Sequence, residues 1–157
     1  MTGAVVRSRP RSALGTRLVV FLVRCAGTVE RSSWGGDEFL RPLDDRGRRH
    51  ADGLVDQLGR REFRRIVSSP YVRCVETVVP LAHARGLAVE HADALAEGAD
   101  AEAVLDVFRS ACVPLVACVH GDFMRELLGE EAAAGSTTVV ELGRLGVAVR
   151  ERLQPRP

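Results

Sequence analysis

Apolar residues run along this chain in two rhythms, and the alternation between them predicts its elements. Arg17 to Val23 (RLVVFLV) is an almost unbroken apolar run rich in β-branched residues, the pattern of a strand covered on both faces. Between Asp44 and Arg61 the pattern changes. Ala51, Leu54, Val55 and Leu58 fall at i, i+3, i+4 and i+7 among arginines and aspartates, which predicts a helix with one apolar face. Ile66 to Ser69 predicts a short strand ending in Ser68-Ser69-Pro70, and Pro70 suits the first turn of a helix whose stripe is Val75, Val78, Val79 and Ala82. Leu87 to His91 predicts another strand, and Val104, Val107, Phe108 and Ala111 another helical stripe. Pro114 to Val119 is a second buried-strand run, closed by His120-Gly121. A helix over Asp122 to Glu131 and strands over Thr137 to Leu142 and Val147 to Arg152 complete the series. Strands alternating with helices predict an α/β fold, a three-layer α/β/α sandwich with a mostly parallel sheet.

With 157 residues the chain suits one domain, expected over 17–153, with a flexible tail over 1–16 and a frayed end over 154–157. Hydrophobic residues at 46% and charged residues at 27% describe a folded globular protein. No apolar run nears the roughly 18 residues needed to cross a bilayer, so no membrane span is expected. The net charge of +1 supplies no global field for nucleic acid or a membrane surface, so any anion site must be local. Every basic residue is arginine, a bias that fits a GC-rich coding sequence. Cys25, Cys74, Cys112 and Cys118 form no C-x-x-C pair and follow no secretory leader, which points to a reducing, cytoplasmic setting. The arginine-bearing, acid-free residues 1–16 also fit a transit peptide or a misassigned start, and they are left out of the fold.

In open α/β sheets ligands bind at the carboxyl ends of the strands, and that rule selects few residues here. Arg24 and Cys25 follow the first strand, the Ser-Ser-Pro turn leads to Arg73, and His120 and Gly121 follow the later buried strand. Two arginines and a histidine on one rim suit a dianionic phosphate, since each planar guanidinium can donate paired hydrogen bonds to its oxygens.

The segments LVVFLVRCA, RPLDDRGRRHADGL, SSPYVRCVET and VACVHGD occur in that order. Together they resemble the histidine phosphatase superfamily, nearest its small phosphohistidine-phosphatase members and the domain of this type fused to some Nudix hydrolases. The family pattern is a strand ending in Arg-His-Ala or Arg-His-Gly, then L-x-x-x-G, S-S-x-x-x-R-x-x-x-T, and a second His before Gly. The resemblance implies a phosphoglycerate mutase-like fold without long lid insertions. It also implies phosphate contacts from Arg24, Arg73 and His120; nothing in the chain calls for a metal or an organic cofactor. Glu97, in Leu95-Ala96-Glu97-Gly98, stands where many members keep the acid that protonates the leaving oxygen, a role needing a raised pKa.

The resemblance breaks at Cys25, which stands where the family keeps its nucleophilic histidine. A cysteine sulfur hangs closer to its backbone than the ring nitrogen, and a misplacement of about 1 Å can cost about 10²-fold, so weak or lost activity is expected. On the other side, a thiol between Arg24, Arg73 and His120 would have a lowered pKa, and a thiolate is a competent phosphoryl acceptor. Cys25 to Arg31 also fits the C-x5-R spacing of cysteine-dependent phosphatases, although 22 arginines in 157 residues produce such spacings by chance.

Other residues carry blander readings. His50 is expected on a polar helix face, and His83 and His91 flank a short strand without partners. Cys74 and Cys118, near Arg73 and His120 in sequence, would with Cys25 form a redox or metal cluster or simply pack a core. The lack of metal-ligand spacing favours the core. Trp34, in the loop Ser32 to Gly36, either stacks on a substrate or caps the core. The basic stretch Arg60 to Arg65 is a solvated helix end. Two functions stay open: a phosphohydrolase acting on a phosphorylated small molecule or phosphoprotein through Cys25 or direct water attack, or a pseudophosphatase that binds such a ligand as a regulatory module. A separate Nudix hydrolase is a candidate partner by resemblance to the fused proteins.

Overall fold

A computed structural model describes residues 17–156; the expected flexible tail at 1–16 lies outside them. Six strands form one sheet in the order β3-β2-β4-β1-β5-β6. They are β1 (Leu18–Arg24), β2 (Arg65–Ser68), β3 (Val89–His91), β4 (Leu115–Val119), β5 (Thr137–Gly143) and β6 (Gly146–Leu153). β3, β2, β4 and β1 run parallel, while β5 and β6 are antiparallel to their neighbours. The helices are α1 (Asp45–Leu58), α2 (Val72–Arg85), α3 (Ala101–Ala111) and α4 (Gly121–Leu128). This is the expected sandwich.

The period of two along each strand divides the core. On one face Val20, Leu22, Leu115, Ala117 and Val119 pack against Val104, Leu105 and Phe108 of α3 and Phe123 and Met124 of α4. On the other, Phe21, Val23, Ile66, Val116 and Cys118 pack against Leu54 and Leu58 of α1 and Cys74, Val78 and Leu81 of α2. The central strands are buried on both faces, which explains why they read as apolar runs and not as alternation.

Several expectations shift. α2 begins at Val72 and not at Pro70, and its buried stripe is Cys74, Val78, Leu81 and Ala82; Val79 faces solvent at 45% exposure. Val79 lies beyond the buried edge of the face that Cys74, Thr77, Val78, Leu81 and Ala82 present to the sheet. His50 is buried at 8% exposure and not on a polar face: its ring packs against Gly135, in the segment after α4. The arginines around it in sequence hid that orientation. Residues 154–156 carry no regular structure, and the Gln154 carbonyl accepts a hydrogen bond from Gln57 at 2.6 Å.

Candidate functional site at the carboxyl ends of β1, β2 and β4

β2, β4 and β1 are parallel neighbours, so the residues that follow their carboxyl ends share one rim. Hydrogen bonds prolong the ladder one step past the strands. The Cys25 N–H donates to the Val119 carbonyl at 3.1 Å, and the Ser69 N–H to the Cys118 carbonyl at 3.0 Å. Cys25, Ser69 and His120 are thereby held side by side.

His120, 4% exposed, is the N-cap of α4. Its Nε2 lies 2.8 Å from Ser69 Oγ and 3.6 Å from Cys74 Sγ. The ligand atoms of Cys25, Cys74 and His120 all fall within 4.8 Å of one another. Tyr71 meets the His120 ring edge-on, with centroids 4.9 Å apart, and the Arg73 guanidinium sits over the Tyr71 ring at 4.8 Å. The site therefore runs without a break from His120 through Tyr71 to Arg73.

Arg73 lies in the first turn of α2 and is 4% exposed. Its guanidinium donates to the Glu38 carbonyl at 3.2 Å and to Glu97 Oε1 at 3.3 Å, and lies 3.6 Å from the Glu38 carboxylate. Glu97 is thus brought to the site. The Gly98 N–H after it donates to Asp122 at the start of α4, fixing that loop. α2 is tied to the loop after β1 by Thr77, whose hydroxyl donates to the Arg73 carbonyl at 2.7 Å and accepts from the Ala26 N–H at 3.0 Å.

Two glycines explain why the motifs have their form. A Cβ on Gly47 would sit 2.0 Å from the Gly27 carbonyl oxygen, so only glycine lets α1 dock on the loop that carries Cys25. A Cβ on Gly121 would meet Arg24 Nε at 2.8 Å, so the backbone after His120 makes room for this guanidinium. Arg24 bonds the Ala132 carbonyl through Nη1, and its Nε is buried with no partner.

The thiol at Cys25 differs from the arginine-activated group expected from sequence. Its pKa is raised well above the ordinary thiol range, chiefly by the hydrogen bond with Cys74 and by burial, with His120 opposing. The physical reason is orientation: Arg24 turns to Ala132, Arg73 to Glu38 and Glu97, and Cys25 faces other thiols. Arg31 does not close an anion cradle either; it is exposed and lies 3.6 Å from Glu38. Trp34 does not cap the core: its indole N–H donates to the Asp37 carbonyl and its ring lies against Gly36.

Sequence reasoning missed Ser69 as a partner of His120, Tyr71 as the bridge to Arg73, and Glu38. Ser69 and Tyr71 stand in a quoted motif, so the signal was present. Glu38 carries no such mark, and its carboxyl is held below the usual range chiefly by Arg41.

The sequence profile of the histidine phosphatase superfamily (branch 1) matches residues 20–104, more than half of the chain, and the chain belongs to that superfamily. An 8-oxo-(d)GTP phosphatase of Mycolicibacterium smegmatis is 32% identical over 116 residues, 69% of this chain. The match covers 36% of the relative, so the chain spans about a third of its length. Among solved structures, the protein histidine phosphatase SixA complexed with tungstate aligns with TM-score 0.69 at 19% identity, over 87% of this chain and 97% of that one. A mycobacterial glucosyl-3-phosphoglycerate phosphatase aligns with TM-score 0.69 at 16% identity, over 90% and 100%. At these identities the two structures establish the shared fold.

Proposed function

We propose that residues 17–153 form a domain that binds the phosphoryl group of a phosphomonoester or phosphoprotein between Arg24, Arg73 and His120, and hydrolyses it slowly. The observation that carries this reading is the convergence of His120 and Arg73 on Tyr71, at 4.9 and 4.8 Å, on the rim of a fold belonging to a phosphatase superfamily. Two guanidinium groups and an imidazole, mostly shielded from water, stabilise the charge on a transferring phosphoryl group better than they would in bulk solvent.

In this reading Cys25 takes the place of the family's nucleophilic histidine, and its chemistry sets the rate. A thiol held protonated by Cys74 and by burial is a poor phosphoryl acceptor, because the thiolate is the nucleophile. Turnover then passes through direct attack by water on the clamped phosphoryl group, with Glu97 protonating the leaving oxygen. The second reading, a phospho-ligand-binding module without turnover, is favoured by the same thiol and by the pairing of Arg73 with Glu97, which a bound phosphate must share. A cytoplasmic setting belongs to the proposal, supported by free cysteines at 25, 74 and 118. So does a separate Nudix hydrolase as partner, which rests on the resemblance to fused proteins.

Calorimetric titration with inorganic phosphate tests the pocket. Arg73→Gln and His120→Ala should each weaken binding at least about tenfold, the value of a hydrogen bond to a charged group. Unchanged affinity in both would refute it.

A further inference from the structure

We infer that Cys25, Cys74 and His120 form a binding site for Zn2+. The three residues come from the end of β1, the first turn of α2 and the end of β4, and all three are buried. Their donor atoms lie within 4.8 Å of one another, and the Cys74 Sγ to His120 Nε2 separation is 3.6 Å. A tetrahedral zinc with bonds of about 2.3 Å to sulfur and about 2.0–2.1 Å to nitrogen sets its S–N edges near 3.6 Å and its S–S edge near 3.8 Å. One edge already matches, and the others, within 4.8 Å, close with a contraction of at most about 1 Å.

The donor chemistry agrees. Two thiolates and an imidazole are the soft and borderline ligands that zinc prefers over the oxygen sets taken by magnesium or calcium. Binding releases one proton from each thiol to solvent, and the resulting Zn2+ with two thiolates carries no net charge. A neutral complex suits a cluster packed among Val23, Val116 and Cys118, where an isolated cation would be costly. The surroundings also hold the ligands in place: Tyr71 packs on the His120 ring, and Thr77 anchors the turn carrying Cys74. Three protein ligands leave the fourth tetrahedral position open, and zinc on Nε2 replaces the hydrogen bond that joins this nitrogen to Ser69 Oγ at 2.8 Å. No ligand spacing marks the set in the sequence because each ligand belongs to a different element.

The inference rests on the proposed pocket to the extent that His120 and Cys25 belong to both sites, and the metal is titrated in the absence of phosphate and substrate. Reduced, metal-stripped full-length protein is titrated with Zn2+ against a chromophoric chelator, and separately with Co2+ while thiolate-to-metal absorption is followed. One equivalent should bind, with tetrahedral cobalt bands and thiolate charge transfer. Cys25→Ser and Cys74→Ser should each weaken zinc at least about 100-fold, beyond the 10–100-fold typical of outer-shell changes. Cys112→Ser, at an exposed position, should leave it unchanged. Arg73→Gln should retain zinc here while its phosphate affinity, measured in the separate calorimetric titration, falls at least about tenfold, which separates failure of the metal site from failure of the phosphoryl pocket. Circular dichroism of the metal-free variants checks folding, and Cys25→Ser, at a strand end, serves if Cys74→Ser does not fold. The inference is overturned if no stoichiometric binding occurs, if cobalt binds without thiolate bands, or if folded Cys25→Ser binds like the parent.

Discussion

The two faces of the sheet are built from alternate residues of the same strands, yet they have been given different materials. Against α3 and α4 the core is aliphatic and aromatic apart from one thioether: Leu22, Leu115, Val119, Phe108, Phe123 and Met124. Against α1 and α2 the same strands contribute Cys25 and Cys118, and α2 adds Cys74. Along β4 the division is residue by residue, with Ala117 and Val119 to one side and Val116 and Cys118 to the other. One face supplies burial alone. The other carries polarisable side chains up to the rim where His120, Tyr71 and Arg73 stand, so chemistry and core are continuous there.

The contrast can be broken most severely on the apolar face. Phe108, fully buried and edge-on to Phe123, should cost about 3–5 kcal/mol when cut to alanine, read as a lowered denaturation midpoint. Zinc and phosphate affinity of the folded fraction should stay as in the parent. On the other face, Arg73→Gln should cost about 1.5–3 kcal/mol of phosphate binding. Gly121→Ala should cost about 1–3 kcal/mol through overpacking, and the displaced Arg24 should weaken phosphate as well; calorimetry and thermal unfolding read the two effects.

The smallest expected effect is in the pH profile. Burial and the neighbouring Arg46 and Arg49 lower the His50 pKa from its ordinary 6.5, so below that value the unfolded chain takes up a proton that the folded one resists. Stability contributed by neutral His50 is therefore complete above pH 6.5 and declines as the pH falls through and below it. His50→Gln should flatten this stretch of the stability curve, measured by urea denaturation at a series of pH values.

The alternation of elements was legible because central strands buried on both faces leave apolar runs, and the helices between them carry clean stripes. Strand ends and motif order single out Arg24, Arg73 and His120, and the resemblance adds Glu97; the structure brings Arg73, His120 and Glu97 into one continuous set of contacts and turns the Arg24 guanidinium to the Ala132 carbonyl. His50 was misread because the Arg46, Arg48 and Arg49 around it mask which side of α1 turns inward. The thiol cluster was harder still. Cys74 and Cys118 meet Cys25 only through the β1–β4 register and the docking of α2, which no linear spacing encodes. The state of the Cys25 thiol follows from that packing: two arginines close in the motif are turned elsewhere, and Cys74 is the neighbour that governs it.

The most direct test of a phosphoryl pocket with a protonated thiol at its floor is hydrolysis of p-nitrophenyl phosphate by the parent, Cys25→Ala and Cys25→His. Slow turnover in the parent, little changed by Cys25→Ala and raised by Cys25→His, is the predicted result. Rapid turnover in the parent that vanishes in Cys25→Ala would contradict it and make the thiol the nucleophile.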